Sequence, residues 1–227
     1  MELPTLDGAL RERSVGEIAA RLPGATAVFR RHKLDFCCGG AKALADAARE
    51  RGVDVAAVET ELSALDATRG LPANAHDSAT LIDHILARYH ETHRRELPEL
   101  FRLARKVEAV HSDHPQVPRG LADLLETMAA ELDSHMAKEE MVLFPMMRRM
   151  PDGRFDPPIA QMRHEHDDHG ATLGRLRAIA HDFVPPEGAC RSWQALYTGA
   201  AKLADDLMEH IHLENNVLFP RFSGAHA

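Results

Sequence analysis

His135-Met136-Ala137-Lys138-Glu139-Glu140-Met141-Val142-Leu143-Phe144-Pro145 returns 75 residues later as His210-Ile211-His212-Leu213-Glu214-Asn215-Asn216-Val217-Leu218-Phe219-Pro220. Both stretches read His-x3-Glu-x2-Val-Leu-Phe-Pro. Four residues along an α-helix advance about 400°, so the histidine and the glutamate of each copy lie on one helical face. One such pair alone reads as a solvated i,i+4 contact worth a few tenths of a kcal/mol. Two copies set among apolar neighbours do not. Burying a carboxylate and an imidazole is costly unless something binds them, and a metal ion does so.

Around the repeats the pattern is helical throughout. Ser78 caps a first helix whose apolar residues Leu81, Ile82, Ile85, Leu86, Tyr89, Leu97, Leu100 and Leu103 recur in a three-four rhythm. Pro115 and Pro118 mark a loop. A second helix runs from Leu121 to about Met150, ended by Pro151-Asp152-Gly153. A third runs from about Pro158 to Phe183, and Pro185-Pro186-Glu187-Gly188 turns the chain into a fourth, from about Cys190 to Phe219. No strand signal competes. The expected fold is all-α, an up-down-up-down four-helix bundle over residues 78–227. The two repeats fall on its second and fourth helices, as in a pseudo-two-fold pair of helical hairpins.

Two His-x3-Glu helices supply part of a site, so the other two helices should each add an inward histidine. On the first, His84 lies between Ile82 and Ile85. On the third, His166 falls four residues after Met162 and seven before Leu173, on the apolar stripe. The expected ligand set is His84, His135, Glu139, His166, His210 and Glu214. His90, His93, His164 and His169 read as surface or outer groups, and Glu140 and His212 as directed away from the site. Six ligands exceed what one zinc ion takes, which favours two metals. If each glutamate bridges, each metal has two histidines and two carboxylate oxygens, with positions left for a bridging oxygen and an exogenous ligand. Imidazole, carboxylate and open positions suit non-haem iron; zinc and manganese are compatible with the same residue types.

Residues 1–66 read as a small helical domain and 67–77 as a linker. Ser14 and Glu17 have capping-box spacing ahead of Ile18 and Leu22. A second helix is expected over Ala25–Lys33, with Val28 and Phe29 in the core. A third is expected over Lys42–Arg51, and a fourth after Asp54, a good N-cap. Between the second and third lies Asp35-Phe36-Cys37-Cys38-Gly39-Gly40. Adjacent Cα atoms about 3.8 Å apart make a Cys37–Cys38 disulfide strained and reducible. The pair therefore reads either as a small buried turn or as a thiol pair for redox or iron transfer. Cys190, the third cysteine, reads as the start of a helix.

Composition narrows the function classes. Lys and Arg number 27 and Asp and Glu 35, giving a formal charge of −8. That balance argues against nucleic acid or an anionic membrane as the main partner. No apolar run is long enough to span a bilayer, and Met1 to Ser14 lacks the apolar stretch of a secretory signal. A cytoplasmic protein is expected. Of 15 histidines, 14 lie from His76 onward, where a metal-binding bundle would need them.

These residues together resemble the iron–sulfur cluster repair di-iron proteins, a hemerythrin-like family, over nearly the full length. Asp35-Phe36-Cys37-Cys38-Gly39-Gly40 resembles the family's N-terminal cysteine motif. Asp83-His84-Ile85, Arg88-Tyr89-His90, His135-x3-Glu139, Glu165-His166-Asp167 and His210-x3-Glu214-Asn215-Asn216-Val217-Leu218-Phe219-Pro220 resemble its di-iron bundle. The resemblance implies two oxo- or hydroxo-bridged non-haem iron ions and a stress-response role in restoring iron–sulfur proteins damaged by nitric oxide or oxidation. The alternative is an oxygen or nitric oxide carrier or sensor without turnover. Oxygen-carrying hemerythrins use a fifth histidine and a His-x4-Asp helix, and this chain has His-x3-Glu on both repeats. His111 falls in the loop after the first helix, outside the expected ligand set. A homodimer is left open by the sequence.

Overall fold

A computed structural model describes residues 9–65 and 77–224. The expected linker, 67–77, lies outside the described residues except for its last position. Secondary structure is helical throughout the described residues, apart from an isolated antiparallel bridge between Ser14 and Ala43. The chain divides into two compact units, one of Ile82–Met150 and Ala160–Leu207, the other of Met1–Leu81, Pro151–Ile159 and Met208–Ala227.

The first of these units is the four-helix body. Its helices come from α5 (Ser78–Ile85, from Ile82 on) with α6 (Glu91–Val110), α7 (Leu121–Lys138) with α8 (Phe144–Arg149), α9 (Asp156–Ile179, from Ala160 on) and α10 (Arg191–His212, as far as Leu207). Leu97, Leu100, Leu124, Leu125, Met128, Leu132, Leu173, Leu176, Leu196 and Leu203 are buried along these helices, at the three-four spacing of the sequence. Each such side chain contributes roughly 1.5–3 kcal/mol when fully removed from water. On α10, Asp206 takes a forked pair from Arg88 at 2.6 and 3.2 Å, and Lys202 donates to Asp206 at 2.8 Å and to Glu96 at 2.7 Å.

Three of the four rods are interrupted by π-helical turns, at Leu86–His90, Glu139–Leu143 and Leu213–Leu218. An i→i+5 turn inserts an extra residue and rotates everything that follows relative to the 3.6-residue register. Each interruption includes or adjoins a histidine or glutamate of the metal-binding pattern.

The other unit holds α1 (Val15–Arg21), α2 (Ala25–Arg31), α3 (Leu44–Arg51), α4 (Val55–Ser63) and the last turns of the chain. Ser14 Oγ accepts from the Glu17 amide at 3.2 Å, and Asp54 caps α4 through the Ala56 amide at 3.0 Å. Ile18, Leu22, Val28, Phe29, Leu34, Phe36, Leu44, Val58 and Leu62 form the small core. Val15 N donates to Lys42 O at 2.9 Å, and Leu44 N donates to Arg13 O at 2.8 Å, tying the start of α1 to the chain beyond the cysteine loop.

Two helix ends differ from the periodicity. α2 stops at Arg31 instead of Lys33, because His32 leaves helical geometry and Lys33 turns left-handed (φ 55°). α9 stops at Ile179 instead of Phe183. His181, Asp182 and Phe183 all have positive φ, a reversal ahead of Val184-Pro185-Pro186 that apolar spacing cannot register. No described helix is long and apolar enough to cross a membrane.

Candidate metal centre

Within the four-helix body, His90, His135, Glu139 and His166 converge. His166 Nε2 lies 3.1 Å from His135 Nε2. Glu139 reaches His135 Nε2 at 3.5 Å with one oxygen and His90 Nε2 at 3.5 Å with the other. Ligand atoms of His135, Glu139 and His166 all lie within 4.8 Å of one another. These side chains are buried, and Glu139 is 0% exposed. A carboxylate so far from water calls for a cation.

The far side of two rings is already engaged. His90 Nδ1 lies 2.7 Å from Glu140 Oε1, and His135 Nδ1 lies 2.8 Å from Glu165 Oε2. A ring that donates its Nδ1–H to a carboxylate keeps the Nε2 lone pair for the interior, the tautomer that binds a metal. Glu140 is itself held by Arg94 at 2.7 and 3.2 Å. Burial works against ionisation of Glu165. Hydrogen bonds from Lys138, Gln161 and His135 outweigh it and hold its carboxyl at about 2. Both outer carboxylates therefore carry charge at neutral pH.

The expected first-helix ligand, His84, is not in this cluster. Its ring stands edge-on to Tyr89 at 5.8 Å, and burial, aided by the Arg88 charge, lowers its pKa. His90 stands in the cluster instead. The physical reason is the π turn at Leu86–His90, which changes the register after Ile85 and turns Tyr89 and His90 inward together. Two other readings also change: His93 and His169 are buried, whereas His164 is exposed. His212 faces away from the cluster, as expected, and is buried. His169 packs edge-on against the His135 ring at 5.1 Å. Glu140 points away from the converging Nε2 atoms, as its position suggests, and does so to brace His90. The sequence signal for Glu140 and Glu165 is faint, since each sits in a run of charged residues that reads as a solvated face. His111 caps α6 and lies 3.1 Å from the Sγ of Cys190, the residue just before α10.

In the other unit the second repeat is also intact. His210 Nε2 lies 3.1 Å from Glu214 Oε1, and both side chains are buried. The two asparagines that follow hold the cysteine loop. Asn215 Nδ2 donates to Cys37 O at 3.1 Å, and Asn216 Nδ2 donates to Phe36 O at 3.0 Å. Asn216 also meets His212 Nδ1 at 2.9 Å, and the His212 ring stands edge-on to Phe36 at 5.5 Å. Burial pushes the His212 imidazole down to about 4. Gly16 and Gly40 allow this approach, because a Cβ on either would come within 2.6 or 2.8 Å of Asn216 Oδ1. In the loop itself, Asp35 Oδ1 accepts from the amides of Cys37 and Cys38 at 3.2 and 3.0 Å. Neither Cys37 nor Cys38 is in a disulfide, and their Sγ atoms lie 3.7 Å apart. The neighbouring Cys38 thiol, then burial, pushes the Cys37 thiol well up.

Residues 81–222 match the model of the hemerythrin HHE cation binding domain, and residues 11–66 match a domain of unknown function, DUF542. The chain is 46% identical over 213 residues to the iron–sulfur cluster repair protein YtfE of Dickeya chrysanthemi, covering 93% of this chain and 96% of that one. It is 47% identical over 216 residues to the protein of the same name from Yersinia pseudotuberculosis, with the same coverage. Against that of Citrobacter koseri it is 46% identical over 215 residues, covering 94% and 97%. The chain thus belongs to the hemerythrin HHE cation-binding family, in the form that carries an N-terminal DUF542 domain.

Proposed function

We propose that this chain is a di-iron protein that repairs iron–sulfur clusters damaged by nitric oxide or oxidative stress. In this reading His90, His135, Glu139, His166, His210 and Glu214 hold two iron ions, and damaged iron–sulfur proteins are the clients. The observation that carries the metal assignment is the pair of Nδ1–carboxylate contacts, which set His90 and His135 to present Nε2 inward beside a carboxylate with no access to water. The repair role rests on relatives that match 93% of this chain and bear that name.

Bound there, iron would supply positions for small ligands such as oxygen or nitric oxide and a reservoir of metal for a client. The chain's own residues do the rest. The outer carboxylates fix ring orientation and tautomer, and the apolar shell limits water. Cys37 and Cys38, held against the turn that carries Glu214, serve redox coupling or iron handover. Iron-loaded protein incubated anaerobically with an enzyme stripped of its cluster should restore activity, and a Glu139→Leu, Glu214→Leu variant should not. Equal recovery with the two proteins rejects the reading. Reversible, stoichiometric oxygen uptake without iron loss would point instead to a carrier.

A further inference from the structure

The cysteine loop contains a second group of potential ligands, apart from the histidines. Ligand atoms of Asp35, Cys37 and Cys38 lie within 4.8 Å of one another. Cys37 Sγ is 3.7 Å from Cys38 Sγ and 3.3 Å from Asp35 Oδ1. In a tetrahedral site with metal–sulfur bonds of about 2.3 Å, two sulfurs stand about 3.8 Å apart, and a sulfur and an oxygen about 3.6 Å. The thiols are therefore already spaced as two corners of such a tetrahedron, and the carboxylate is near the third. Few side chains can be placed this way by adjacent residues. The loop manages it because Asp35 Oδ1 gathers the amides of Cys37 and Cys38, and Asn215 and Asn216 pin the carbonyls of Cys37 and Phe36. Asn215 and Asn216, which would not themselves bind the ion, thus set part of the frame.

We propose that Asp35, Cys37 and Cys38 form a mononuclear site for a thiophilic divalent cation, zinc or ferrous iron, distinct from the histidine–glutamate centre. Binding exchanges two thiol protons for the metal, so two protons leave to solvent as two metal–sulfur bonds and one metal–oxygen bond form. Two thiolates and a carboxylate carry −3, and the loaded site carries −1. Three protein ligands leave a fourth position, the pattern of an exchanging site rather than a closed structural one. Cys37 is 4% exposed, while Cys38 keeps part of its surface, so entry is from the Cys38 side.

The test uses the full chain, purified anaerobically and saturated with iron, then titrated with cobalt(II) while the thiolate-to-cobalt charge-transfer absorption is followed. One further equivalent with that absorption is expected, displaced by added zinc in one arm and by ferrous iron in another. Cys37→Ser with Cys38→Ser should abolish it, and Cys190→Ser should leave it intact. Asp35→Asn keeps the Oδ1 acceptor for the loop amides, so helical circular dichroism should hold while cobalt affinity falls at least tenfold. No thiolate absorption in the wild type, its loss in Cys190→Ser, or wild-type affinity in Asp35→Asn overturns the proposal. Iron quantitation before the titration reports the histidine centre separately. A chain that takes no iron yet shows the cobalt band would sink the di-iron reading and leave this one standing.

Discussion

The two copies of His-x3-Glu-x2-Val-Leu-Phe-Pro share their histidine, glutamate and apolar tail and differ at the other five positions, among them the two that follow the glutamate. After Glu139 comes Glu140, which grips His90 and Arg94. After Glu214 come Asn215 and Asn216, which grip the backbone of the cysteine loop. Both copies pass through a π turn at this point. The same local geometry thus serves two ends. A charged residue after the glutamate tunes an imidazole, and a pair of neutral amides there builds a platform for a second domain's loop. A repeat preserves what the metal needs and varies what its surroundings need.

The largest effect should come from the shared residues. Glu139→Leu or Glu214→Leu, each alone, should cost most of the bound iron if both carboxylates are common to the two ions. Metal quantitation after anaerobic purification checks this, and a variant that keeps both equivalents would separate the copies. Next, His90→Ala should lower iron affinity strongly while His84→Ala leaves it unchanged; the reverse result would restore the simple helical register. Then come the residues that differ. Glu140→Gln should weaken iron binding by roughly 10–100-fold, as loss of a carboxylate behind a metal-bound imidazole does. Asn216→Ala should leave iron content alone and destabilise the fold by about 1–3 kcal/mol, the cost of stranding buried polar partners. Denaturant midpoints and iron content measured on both variants would show whether the two roles are as separate as the contacts suggest.

Acid should distinguish the copies by the smallest margin. His212, beside the second, sits at about 4 in the fold against an ordinary 6.5. The unfolded chain binds the extra proton first, so this contribution is complete above pH 6.5 and drains away as pH falls toward 4. Glu165, behind His135, sits at about 2 against an ordinary carboxyl near 4.5. Its contribution is intact above that value and is lost only as pH falls further toward 2. Stability measured between pH 7.5 and 5 should decline in the wild type and flatten in His212→Gln, whereas Glu165→Gln should change only the more acidic limb.

The helical architecture was legible because its signals are local. Leu, Ile and Met recur at three and four, and Pro and Gly fall between the rods. Ser14 and Asp54 sit where caps are needed, and both cap. Glu139 and Glu214 stood out because the chain says the same thing twice. His90 did not, because helical arithmetic assumes a constant 3.6 residues per turn and the π turn at Leu86–His90 breaks that assumption just before the residue that matters. Glu140 and Glu165 were hidden for another reason. Their value lies in which ring they face across the bundle, a long-range fact that no spacing along one helix encodes. The role of Asn215 and Asn216 was hidden likewise, since their partners lie nearly 180 residues earlier.

The carboxamide of Asn216 is clasped on both sides, its nitrogen by Phe36 and His212 and its oxygen by the faces of Gly16 and Gly40. It has no slack in which to rotate. The loop and the turn bearing Glu214 are consequently one mechanical piece, and any strain that a chemical event puts on the thiols is delivered as torque two residues from a buried carboxylate.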